Sequence, residues 1–92
     1  MHFQPDLQER AADFLRRTIP PELQPDYVAG SLAEIVIGHC AQDKGLDPEL
    51  CEIAEISAGE YDDAIAKAKT AELREYYAEC QHLLQEIIRA AS

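Results

Sequence analysis

The stretch EYDDAIAKAKTAELREYYAECQHLLQEIIRA, residues 60–90, holds no proline and no glycine and is rich in alanine and long unbranched side chains. Nothing in it stops an α-helix. At 1.5 Å per residue such a helix would run about 46 Å, whereas a compact chain of this size is about 32 Å across. The helix therefore bends, breaks or projects. Its second half carries apolar residues in alternating steps of three and four, Leu73, Tyr76, Cys80, Leu83, Ile87 and Ala90, and Tyr77, Leu84 and Ile88 widen the stripe. Before Leu73 the stripe slips to Tyr61, Ile65 and Ala68, which marks 67–70 as the place for a kink or loop. A stripe this wide suits a helix hairpin, a homodimer or packing on the helices upstream. Leu73, Tyr76, Tyr77, Leu84, Ile87 and Ile88 are its candidate contacts with a partner or a second copy.

Proline and glycine divide the rest of the chain. Pro5 opens a helix with Asp6 and Glu9 near the positive end of its dipole and Arg16 and Arg17 near the negative end; Leu7, Ala11, Phe14 and Leu15 share one face, and Pro20-Pro21 end it. Pro25-Asp26 open a second helix with Val28, Leu32, Ile35, Val36 and Cys40 or His39 on one side. Gly30 and Gly38 within it suggest a neighbouring helix at close approach, the commoner reason, or a local weakness, and Gly45 stands where a left-handed C-terminal cap would fall. Asp47-Pro48-Glu49 is an N-cap, a first-turn proline and a dipole-compatible acid in succession, and Ser57-Ala58-Gly59 reads as the next break. The expectation is an all-α fold, one small domain over 1–92, with about four helices at 5–18, 26–42, 48–57 and 60–90.

Eighteen acidic against eight basic residues give a net charge of −10 in 92 residues. This disfavours direct binding of nucleic acid or of an anionic membrane. The charge is unevenly placed, because residues 41–63 alone carry −7 while 1–19 and 64–92 each sum to zero. Asp47, Glu49, Glu52, Glu55, Glu60, Asp62 and Asp63 form the candidate acidic patch. Such a ridge is either a plain solvated face or a surface that steers and docks a basic protein. Residues 1–19 lack the apolar run of a signal peptide, and the most apolar stretch, 27–41, is short and holds Glu34 and His39, so a cytoplasmic protein without a membrane span is expected. Three cysteines, an odd number, fit reduced thiols better than a disulfide framework.

Chemistry-bearing patterns fail on spacing. A calcium loop begun at Asp43 would place Gly45 at its third position and Pro48 at its sixth, where a ligand and a glycine are needed. For zinc, His39-Cys40 are adjacent and Cys80 and His82 point to nearly opposite sides of a helix, so neither pair makes a half-site. No triad has a visible base and orienting acid, and no nucleophile elbow or glycine-rich phosphate loop occurs. A helix-turn-helix over 50–67 would present Glu60, Asp62 and Asp63 to the duplex, which repels them. The reading is a non-enzymatic acidic interaction protein without cofactor, a regulator, adaptor or chaperone-like accessory that binds a basic protein partner through an apolar helix face and the 41–63 patch. The alternative is an acidic inhibitor or immunity-type protein that blocks a basic nucleic-acid-processing or toxic protein. Weak metal binding by clustered carboxylates ranks below both.

Overall fold

A computed structural model describes residues 3–16 and 28–91. Among them are four helices and no strand: α1, Pro5–Arg16; α2, Val28–Ala41; α3, Pro48–Lys67; and α4, Ala71–Ala91. The all-α, four-helix architecture expected from the residue pattern is the observed one. The expected end of the first helix at Pro20-Pro21 and the expected opening of the second at Pro25-Asp26 lie outside the described residues.

On α1, Leu7, Ala11 and Phe14 are buried at helical spacing, while Leu15 turns 39% of its surface outward. On α2, Ala33, Val36, Ile37 and Cys40 are fully buried, and Ile35, expected on the core side, is 48% exposed. Among the described residues, a β-carbon at Gly38 would meet the tip of Leu15 at 4.0 Å, an ordinary contact and not a close helix approach; the surroundings of Gly30 lie outside the described residues.

The end of α2 is built from local bonds. Lys44 N–H donates to the His39 carbonyl at 2.8 Å and Asp43 N–H to that of Cys40 at 3.0 Å, the paired bonds of a Schellman cap. Its left-handed residue is Asp43, at φ 56°, and not the expected Gly45. Aspartate tolerates this region better than most residues with a β-carbon. Its carboxylate also accepts the Phe3 N–H at 2.9 Å, tying the start of the chain to the end of α2. Asp47 then caps α3 as expected, its carboxylate accepting the Leu50 N–H at 2.8 Å with Pro48 in the first turn.

The largest difference from expectation is in α3, which continues through Ser57-Ala58-Gly59 to Lys67. Ser57 and Ala58 are buried, together with Ala54 and Tyr61. These small residues line a packing surface and do not make a turn. The break falls instead at 68–70, where Ala68 is extended at ψ 130° and the Thr70 hydroxyl accepts the Leu73 N–H at 3.1 Å to start α4. What would have been one rod of about 46 Å becomes an antiparallel hairpin inside a molecule of 38 × 23 × 17 Å.

In that hairpin α4 lies between two neighbours. Tyr76 stacks on Phe14 of α1, with ring centroids 5.4 Å apart and planes 10° from parallel; Tyr77 tilts against Tyr61 of α3 at 5.7 Å. The side-chain amide of Gln81 donates to the Ala58 carbonyl at 2.7 Å and to the Asp62 carboxylate at 2.8 Å, holding α4 to α3. The Arg10–Glu86 ion pair joins α1 to α4 on the other side.

Candidate interaction surface

The continuity of α3 brings the acids of both expected helices onto one. Glu52 and Asp63 are eleven residues apart, as are Glu49 and Glu60, which is close to three full turns. Each pair therefore sits nearly in line along the outer face. Ile56 occupies the middle of this face, four residues from Glu52 and from Glu60 and seven from Glu49 and from Asp63. It is 55% exposed, the most exposed of the large hydrophobic residues described. Gly59 lies one turn on, and a β-carbon there would meet nothing within 4 Å.

The seven acids do not all do the same work. Asp47 caps the helix, Asp62 accepts from Gln81, and Asp63 pairs with Lys67 at 3.0 Å. Glu49, Glu52, Glu55 and Glu60 are exposed and form no salt bridge with any described residue. Like charges on consecutive turns repel, so this face costs the folded state some stability.

At its C-terminal end the face runs into an open cleft of about 530 Å³ between α3 and α4, lined by Glu60, Asp63, Ala64, Ala68, Leu73 and Tyr77. Lys67 and Lys69, beside the α3–α4 connection, line it as well. A second cleft of about 550 Å³ separates α1 from α4, where Arg10, Asp13, Glu79 and His82 give walls of mixed charge around Phe14 and Leu83.

The apolar stripe of α4 is placed differently from expectation. Tyr76, Tyr77, Leu84 and Ile87 are buried in the monomer's own core, and Leu73 and Ile88 are half-buried against it. As docking residues for a partner or a second copy the four buried side chains are corrected to core residues, because α4 lies between α1 and α3 and turns one tyrosine toward each. The exposed Ile56 was missed because the expected break at 57–59 obscured which face of a longer helix it would occupy. Recognising Ala54, Ser57, Ala58 and Tyr61, at helical spacing, as one buried face would have found it.

Two of the three thiols, Cys40 and Cys80, are buried. Burial pushes Cys40 and Cys80 from 9.0 up to about 11; Asp43 adds to the rise at Cys40, and Glu34 and Glu79 add to it at Cys80, where a hydrogen bond with Tyr61 opposes. Among the described residues no three His, Cys, Asp or Glu side chains converge as metal ligands, and no helix is long and apolar enough to cross a membrane.

Comparison with known proteins finds no matching family model, no matching curated protein and no matching solved structure.

Proposed function

We propose that this chain is a non-enzymatic interaction protein whose acidic α3 face binds a basic protein partner, in the manner of a regulator, adaptor or chaperone-like accessory. The observation that carries the reading is the set Glu49, Glu52, Glu55 and Glu60 on the exposed side of one continuous helix, without a cationic partner among the described residues. A single-sign face accelerates encounter with a partner of opposite sign and discourages partners of like sign. The net charge of −10 disfavours phosphate backbones as that partner.

The test is an affinity capture from nuclease-treated lysate with stepped salt elution, comparing the natural chain with the variant Glu49→Gln, Glu52→Gln, Glu55→Gln, Glu60→Gln. A basic protein retained by the natural chain and lost from the variant, then rebinding in purified form at least tenfold more weakly to the variant, is the expected result. Capture indifferent to the four substitutions, or no capture, overturns the proposal.

A further inference from the structure

Two apolar features flank one carboxylate on the outer side of α3. Ile56 stands exposed at one end, Ala64 forms part of the α3–α4 cleft at the other, and Glu60 lies midway, four residues from each. Eight residues of helix separate Ile56 from Ala64, about 12 Å along the axis. The cleft is floored by Ala64, Ala68, Leu73 and Tyr77, and its volume of about 530 Å³ has room for a leucine, phenylalanine or tryptophan side chain.

We propose that this surface is a two-point dock for a basic amphipathic helix of the partner, a reading that rests on the acidic face being the binding face. One apolar side chain of that helix covers Ile56 and a second, seven residues further on, enters the cleft. A lysine or arginine three or four residues after the first lies over Glu60, with further cations toward Glu52 and Glu49. A spacing of seven residues spans about 10.5 Å, which matches the two apolar points. Strand addition has no template here, because the described elements are helices whose backbone groups bond within themselves, so side chains must supply recognition. Charge also sets direction. Lys67 and Lys69 stand at the hairpin end of the cleft, so the partner's cations lie toward Glu60 and Glu52 and away from that end.

The test uses an 18-residue helical peptide with two leucines seven apart, lysines at the third and fourth positions after the first leucine, and alanine and glutamine elsewhere. A shuffled peptide of identical composition is the control, and affinities are read by fluorescence anisotropy with ¹⁵N chemical-shift mapping. The patterned peptide should bind at least tenfold more tightly than the shuffled one and shift the amides around Ile56, Glu60, Ala64 and Leu73. Ile56→Ser, a change at an exposed site that leaves the core intact, should cost at least fivefold in affinity, and Ala64→Phe should do the same by filling the cleft. Equal binding of the two peptides, or indifference to Ile56→Ser, overturns the two-point dock while leaving a purely electrostatic acidic face standing. Failure of both peptides to bind overturns the dock, and the capture experiment with the four-glutamine variant then decides the wider proposal separately.

Discussion

Cys40 and Cys80 are sealed in the core while Cys51, on the first turns of α3, is half-exposed. In a native sample at pH 8 one thiol should therefore react promptly with a disulfide reagent and two only after denaturant is added; three prompt thiols would contradict the packing of α2 and α4. The same two buried groups give stability a dependence on alkaline pH. Their folded-state values of about 11 lie above the 9.0 of the unfolded chain, so the folded state holds these protons more tightly. Their contribution is complete below pH 9 and is lost between about pH 9 and 11, and the urea midpoint should fall across that window. In the double variant Cys40→Ala, Cys80→Ala, that part of the fall should disappear. The residue pattern had already placed both cysteines on apolar stripes, so their burial was legible. The role of Asp43 was not, because its left-handed backbone and its bond to Phe3, 40 positions away, depend on where the start of the chain comes to lie.

At the scale of the element, α3 tests which local signals tertiary packing can override. The Asp47 cap and Pro48 were readable because both act within one turn. The expected stop at Ser57-Ala58-Gly59 failed, because burying Ser57 and Ala58 between neighbouring helices outweighs the cost of one glycine in mid-helix, about 1 kcal/mol relative to alanine. Gly59 itself faces outward with open space where a β-carbon would go. Gly59→Ala should therefore stabilise the fold by about 1 kcal/mol, raising the thermal midpoint by about 4–8 °C. A loss of stability instead would show that the helix does not run through this position. The break at 68–70 carries neither proline nor glycine, and its only trace in the residue pattern is the slip of the apolar stripe. Thr70 as the cap of α4 is a local signal that became visible only once the break was located.

For the whole molecule, the decisive fact is that α4 turns its apolar stripe inward, with Leu84 and Ile87 fully buried. The surface that suggested a homodimer is already covered by α1, α2 and α3. The outer face of α3, the other large feature, would set carboxylate against carboxylate if two copies met there. Light scattering at micromolar concentrations and low salt should accordingly report a mass of 10.3 kDa, and a dimer under those conditions would point to a contact on neither face. The amino-acid sequence by itself determined the helical class, the cap of α3, the burial of Cys40 and Cys80 and the concentration of charge in 41–63, since each rests on composition, on spacing within a few turns, or on charge that no fold can remove. The slip of the apolar stripe had marked 67–70 as the place for a break, and only the tertiary structure decided that helix runs unbroken through 57–59 up to that break and which side of α3 faces water. Both are set by competition among distant surfaces for the same apolar partners: the break lets α4 fold back on α3, and that return buries Tyr77 and Leu84 and leaves Ile56 outside among its acids.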